Sequence, residues 1–332
     1  MNDGIQPNNS LLKIELENEL GDKVIKQSKV NLFEFILDFI EESKGVKQPS
    51  TITVYKTTLN HLKNYSEKIN KAIDFENINL KFYSNFTKYM SLELEMSNNT
   101  IGKYIKTIKT FLNEATEIGL NQNLDFRKRK FKTLQEESDK VYLSKEELDI
   151  IDAKDFNNKP HYEKVRDLFL IGCYTGLRFS DFTQIRQENI LEDKSLIQIT
   201  TQKTKEKVSI PIHPIVRKIL KKYKNSLPRA FSNQVMNKHL KEIMRLCQID
   251  SIVELTSTKA GAVHKNTFPK YELITTHTAR RSFATNLYLA DVPSISIMKI
   301  TGHKTEKSFL KYIKVTQEQN ASKLLNHPFF KS

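Results

Sequence analysis

The residues best suited to chemistry lie near the C-terminal end of the sequence. His277 and Arg280 are three apart in H-T-A-R, a spacing that puts them on one face of a helix. Gly302 and His303 follow, and Tyr312 comes nine residues after that histidine. Roughly a hundred residues upstream, T-G-L-R-F-S-D places Arg178 after a glycine turn. Guanidinium forks bind non-bridging phosphate oxygens, imidazoles move protons, and a phenol oxygen can carry a covalent intermediate. Together these groups can handle a phosphodiester and attack it. Each has a plainer reading when taken alone. Arg178 can be a structural arginine paired with Asp181, and Tyr312 can be a core aromatic at helical spacing from Phe309.

These side chains need elements to aim them. A helix beginning at Thr275 or Thr276, either a suitable N-cap, puts His277 and Arg280 in a first turn whose free N–H groups favour an anion. Phe283, Leu287 and Ala290 form its buried side. Asp291, Val292 and Pro293 open the next helix, which stops at Gly302 and releases His303 from a helix end. Upstream, L-S-K-E-E-L at 143–148 carries a capping box of Ser144 and Glu147, with Leu143 and Leu148 as a hydrophobic staple. A helix through Val165, Leu168, Phe169 and Gly172 leads into the turn before Arg178, and Ser180 can cap the helix after it. Over 196–212 the period changes. Leu196–Thr200 and Val208–Ile212 are β-prone runs joined by T-Q-K-T-K-E-K, a hairpin with a basic tip. Residues 251–270 form a polar insertion with no assigned role.

The N-terminal half carries a different signal. Residues 1–28 are polar and weakly patterned. From Leu32, Ile36, Phe39 and Ile40 onward the apolar residues recur at helical spacing. Ile52, Tyr55, Leu59 and Leu62 make a second stripe, Phe82, Phe86 and Tyr89 a third. Behind Ser97, the run Ile101, Tyr104, Ile105, Ile108, Phe111, Leu112 and Ala115 makes a fourth, with Lys103, Lys106 and Lys109 off it. Residues 29–122 therefore read as a helical bundle whose aromatics belong to its core, not to base-stacking platforms. Within 123–141, Arg127, Lys128, Arg129, Lys130 and Lys132 interrupt the apolar pattern. The run reads as a solvated linker or as charge lying along phosphates.

Composition sets bounds. The chain has 332 residues, enough for two domains, and a formal net charge of +14 from 53 Lys+Arg against 39 Asp+Glu. That excess points to a polyanionic partner, the plainer reading being a solvated basic surface. No apolar run approaches the ~18 residues of a spanning helix, which favours nucleic acid over a membrane. Cys173 and Cys247 show no C-x-x-C spacing, as expected of a reduced cytosolic protein without a zinc site. No phosphate-binding loop or carboxylate cluster calls for a nucleotide or metal, so no cofactor is expected.

The ordered set Arg178, Lys203, His277, Arg280, His303 and Tyr312 resembles the active site of the tyrosine recombinases, the phage integrase family. The likeness spans about residues 30–315 and is most specific in the second half. It implies a mainly α fold with a small antiparallel β-sheet: an N-terminal helical core-binding (SAM-like) domain at 29–122 and a tyrosine recombinase catalytic domain at 142–315, clamped around duplex DNA. The tail at 316–332 would be exchanged between protomers, and 1–28 would be an arm or the stub of a further DNA-binding domain. The resemblance also assigns roles. Tyr312 attacks phosphorus and leaves a 3′-phosphotyrosyl enzyme, and Lys203, with Lys205 and Lys207 as competitors, protonates the departing 5′ oxygen. Arg178 and Arg280 hold the non-bridging oxygens, His277 assists proton transfer, and His303 donates to the phosphate. Asp181 would hold Arg178, while Arg127, Lys128, Arg129, Lys130, Lys132, Lys103 and Lys106 would contact DNA. The implied partners are double-stranded DNA at specific recombination sites, a homo-tetramer on paired sites and accessory DNA-bending proteins, in the cytoplasm at the nucleoid. The implied role is the integrase or transposase of a mobile element. Two other readings are a DNA-binding protein that has lost cutting and a type IB topoisomerase, which would relax supercoils without site preference.

Overall fold

The computed structural model describes residues 30–136, 140–156, 158–259, 262–315, 317–325 and 330. The expected polar arm at 1–28 lies outside the described residues, as do Pro328 and Phe329 of the tail. The chain divides into two compact units, Met1–Glu137 with Ser257–His264, and Ser138–Thr256 with Lys265–Ser332.

The first unit is built on α1 (Leu32–Ser43), α2 (Pro49–Lys68), α3 (Leu80–Lys88) and α4 (Asn98–Glu117). Local chemistry fixes where they start. The Asn31 carboxamide accepts from the N–H groups of Phe33 and Glu34 at 3.0 Å, and Glu34 returns a bond to the Asn31 N–H. Pro49 opens α2, while Asn79 and Ser97 cap α3 and α4. All four apolar stripes face the core, with Ile36, Leu62, Phe86 and Ile105 fully buried and Phe39 and Tyr89 half-buried against it. The aromatics are core, as their period predicts: Phe111 lies 5.3 Å from Tyr55 and 5.6 Å from Phe39, centroid to centroid.

The basic stretch expected as an interdomain linker is packed onto this unit. Phe126 and Phe131, which flank the run Arg127–Lys130, are 1% and 0% exposed in the same core. Tyr83 Oη also donates to the Lys132 carbonyl at 3.0 Å. Two buried phenylalanines anchor a segment whose charge density alone reads as solvated.

The second unit contains α5 (Lys145–Ala153), α6 (Pro160–Thr175), the single turn α7 (Phe179–Phe182), β1 (Ile190–Leu191), β2 (Leu196–Thr200) and β3 (Lys207–Pro211). There follow α8 (Pro214–Lys222), α9 (Asn233–Leu246) and α10 (Lys270–Leu273), with β4 (Ile252–Lys259) and β5 (Ala262–Pro269) between α9 and α10 in sequence, their outer part Ser257–His264 counted in the first unit. The chain continues through α11 (Thr276–Leu289), α12 (Ser294–Thr301), α13 (Glu306–Leu310) and α14 (Gln317–Leu325). Helix α6 is central, buried along most of its length and packed by α11, α9 and α8. Its charged pair is satisfied there, since Asp167 accepts from Arg166 at 2.8 Å, Lys222 at 2.7 Å and Tyr223 at 2.9 Å. The Ser144–Glu147 capping box is present, and Leu143 and Leu148 are both buried.

Strands β2 and β3 pair antiparallel from Leu196↔Pro211 to Thr200↔Lys207, with Ile197, Val208 and Ile210 facing inward. β1 adds a short third strand that the sequence pattern did not announce. The insertion at 251–270 is a β4–β5 hairpin. Its described residues are largely exposed, Ile252 at 70% and Val263 at 64%, and only half-buried positions such as Val253 face the core. No helix among the described residues is long and apolar enough to cross a membrane.

Candidate active site

Gly176 ends α6 in the left-handed region at φ +67°, and a Cβ there would lie 2.3 Å from the Phe283 ring. Only glycine fits on both counts. The turn it permits has two products. Its carbonyl accepts from Arg280 Nη1 at 2.7 Å, and the chain beyond it puts Arg178 at the N-cap of α7, the place expected for Ser180. Arg280 is 1% exposed, and its Nη2 also donates to the Thr301 carbonyl at the end of α12. A buried cation thus joins the C-terminal ends of two helices, where the dipole favours positive charge. Burial beside Arg178 pulls Arg280 down to about 10, which leaves it cationic at neutral pH. Nε of Arg280 and Nη1 of Arg178 are buried donors with no protein partner. Unpaired guanidinium N–H groups suit an anion.

Tyr312 sits against these groups. Its Oη is 3.1 Å from His277 Nε2, its ring centroid is 4.6 Å from that of His303, and the Arg280 guanidinium lies 5.6 Å from the ring. Its backbone is held by a residue that sequence reasoning missed. Thr285 Oγ1 donates to the Tyr312 carbonyl at 3.2 Å and accepts from the Lys314 N–H at 3.3 Å. Nothing in the pattern marks Thr285, a fully buried polar residue on the inner face of α11. Arg281 is also buried, and the doublet Arg280–Arg281 was a visible signal.

His277 is the second residue of α11, while Arg280 lies a turn further in, beyond the first turn where it was expected. The free N–H groups at this helix start are partly taken, Thr276 donating to Asn237 at 2.8 Å and Thr278 to the Thr275 carbonyl at 2.8 Å. The anion preference of the site therefore comes from guanidinium groups more than from the helix end. Burial, then Arg281, Arg280, Lys140 and Arg178, hold His277 down to about 4. Burial, Arg280, Arg178 and His277 do the same for His303. Both imidazoles are neutral at pH 7. Gly302 caps α12 at φ +61°, as the sequence predicts, and His303 follows it.

Asp181 does not grip Arg178. It is 1% exposed, and its Oδ1 accepts from the Gln202 N–H at 2.9 Å. It therefore ties the Arg178 turn to the tip of the β2–β3 hairpin. A Cβ on Gly302 would lie 3.4 Å from Glu206 and 3.6 Å from Thr204, and Lys304 pairs with Glu206 at 3.3 Å. The tip is thus held on two sides beside the site, with Lys203 exposed on it next to Gln202. Lys205 occupies the left-handed position of the turn at φ +56°. The structure brings together Arg178, His277, Arg280, His303 and Tyr312, and sets the Lys203 turn alongside them.

In the first unit, Lys103 and Lys106 project from the exposed side of α4, Lys103 4.6 Å from the Tyr104 ring. Arg127 donates to Asn113 at 3.2 Å, Lys128 pairs with Asp125 at 2.5 Å, and Arg129, Lys130 and Lys132 are exposed.

A mainly helical scaffold that buries two arginines against a tyrosine with a neutral histidine on its hydroxyl defines a protein built for phosphate-directed chemistry. Residues 31–132 match the phage integrase SAM-like domain and residues 141–319 match the phage integrase family. The chain belongs to the phage integrase family, the tyrosine recombinases, and is a site-specific DNA recombinase by class. Its fold is shared with solved structures at low identity. A Tn1549 transposon integrase in complex with circular intermediate DNA aligns with TM-score 0.63 and 16% identity over 89% of this chain and 99% of that one. A lambda integrase dimer bound to a COC′ core site aligns at 0.64 and 14%, over 86% and 95%. The XerH recombinase bound to palindromic difH aligns at 0.60 and 16%, over 98% and 91%. No curated protein sequence matches the chain.

Proposed function

We propose that Tyr312 is the nucleophile of a DNA strand exchange carried out at specific sites by the integrase or transposase of a mobile element. The observation that carries this reading is the 3.1 Å contact between Tyr312 Oη and a neutral His277 Nε2, beside unpaired guanidinium N–H groups. His277 takes the phenol proton as Oη attacks phosphorus. The P–O5′ bond breaks, Lys203 supplies the proton to the departing 5′ oxygen, and the DNA 3′ end stays on Tyr312. A 5′ hydroxyl from a second strand then reverses the steps. Negative charge grows on the non-bridging oxygens during each attack, and Arg178 and Arg280 meet it with forked donors.

The Lys103, Lys106 and Arg127–Lys132 cations supply sequence-blind affinity for double-stranded DNA. Neighbours of the same fold are complexes with recombination-site DNA, which supports that partner. Assembly as a homo-tetramer on paired sites, aided by accessory DNA-bending proteins, completes the reading. Leu325, on the exposed helix α14, suits exchange of the tail between protomers.

The test is to incubate the protein with DNA from its own genomic neighbourhood and map the 3′ ends left attached to protein. Tyr312→Phe should bind that DNA within about twofold of the parent, because only an oxygen is lost, and should leave no attached ends. Attached ends persisting in Tyr312→Phe would move the nucleophile elsewhere.

A further inference from the structure

Thr301, the last residue of α12, is 1% exposed and makes two contacts that bear on the site. Its carbonyl accepts from Arg280 Nη2. Its hydroxyl lies 2.7 Å from the Ile297 carbonyl one helical turn back and 2.7 Å from His303 Nδ1. A hydroxyl has a single proton, and a carbonyl can only accept. With that proton on the Ile297 carbonyl, the hydroxyl offers His303 a lone pair, and Nδ1 must carry the hydrogen. The reverse assignment would set two acceptor oxygens 2.7 Å apart with no proton between them.

Resting on the reading of this site given above, we infer that Thr301 is a positioning residue that fixes His303 as its Nδ1–H tautomer. Nε2 is then an acceptor in the free protein, and it faces Arg280 Nη2 at 3.5 Å. This alters the expectation that His303 simply donates to a phosphate. A neutral His303 of this tautomer has no hydrogen on Nε2 to give. It becomes a donor there only by taking up a proton, and a bound phosphodiester anion favours that uptake. The groups facing His303 set how readily this happens. Arg280 and His277 come from α11, Arg178 from the turn before α7, and Tyr312 from the segment after α13. The Lys304–Glu206 pair lies at the hairpin tip. The cations oppose uptake, so the phosphate charge must offset them.

The experiment uses the full chain with 15N-labelled histidine. In DNA-free wild-type protein at pH 7, long-range 1H–15N correlation should give His303 a protonated Nδ1 and a bare Nε2. Thr301→Val keeps the branched shape and the backbone carbonyl but removes the acceptor, so the ring should shift toward the Nε2–H tautomer. An Nε2–H would face the Arg280 Nη2 donor 3.5 Å away and push the ring from its place, so adduct formation should fall by roughly 10- to 100-fold, as when the partner that orients a metal-bound histidine is lost. Thr301→Ser should restore both the Nδ1–H signal and the rate to within about threefold, since the hydroxyl is kept. Nε2–H in the wild type, or an unchanged tautomer in Thr301→Val, overturns the proposal. The spectrum is recorded without DNA, so a wild-type protein that forms no adduct would count against the proposed function and leave the tautomer result standing.

Discussion

Arg280 concentrates the structural and chemical demands of the site in a single side chain. It is fully buried, tied to the carbonyls of Gly176 and Thr301, and keeps Nε unpaired beside Tyr312. Lysine brings one ammonium in place of the fork, so it cannot reach both carbonyls and a phosphate. Arg280→Lys should slow adduct formation by about 100-fold, the lower end of the cost of losing a transition-state donor. It should also lower the melting temperature, because at least one buried carbonyl loses its partner. Equal rates for the two proteins would mean that Arg280 is purely structural. The histidines make a separate prediction about pH. Both have folded values near 4, below the unfolded 6.5, so the unfolded chain takes up protons first as pH falls. Their contribution to stability is full above about pH 6.5 and is lost as pH drops toward 4. The urea midpoint should decline across that window, and less steeply in His277→Gln/His303→Gln. Parallel curves would mean that the two histidines are not held below their ordinary value.

At the scale of elements, two glycine turns aim the chemistry. Gly176 and Gly302 both sit at positive φ, but their surroundings differ. An added Cβ at 302 meets only ordinary contacts, whereas at 176 it enters the Phe283 ring. Gly302→Ala should cost roughly 1–2 kcal/mol, the left-handed penalty, and fold with a misplaced His303. Gly176→Ala adds a steric clash to that penalty and should be the more destabilised in denaturant titration, the reverse order contradicting the account. Much of this was legible beforehand, because helix stripes, the Ser144–Glu147 box and the Gly302 stop are local signals. What was not legible depended on tertiary contact. Asp181 looked like a partner for Arg178 from its spacing but bonds to the Gln202 N–H, and Thr285 acts on Tyr312 across 27 residues of sequence. Phe126 and Phe131 were hidden among cations, and the described residues of the β4–β5 hairpin are at most half-buried.

For the whole molecule, the excess of +14 and the tail carry the remaining predictions. Neutralising phosphates with lysine and arginine releases counterions, so DNA affinity should fall steeply as salt rises. Replacing Lys103 and Lys106 by glutamine should weaken binding alike for all sequences and flatten that slope, and an unchanged slope would remove them from the interface. Deleting residues 318–332 should leave binding to a single site nearly intact while weakening assembly of paired sites and strand exchange. Recombination at the full-length rate would rule out exchange of the tail between protomers. The most direct measurement is of the covalent bond itself. DNA cleaved in the presence of EDTA is trapped on the protein and digested, and the peptide spanning residue 312 is examined by mass spectrometry. A 3′-linked nucleotide should be found on Tyr312. A nucleotide on another residue such as Tyr288, or free 3′ ends that appear only when magnesium is restored, would rule out Tyr312 as the nucleophile.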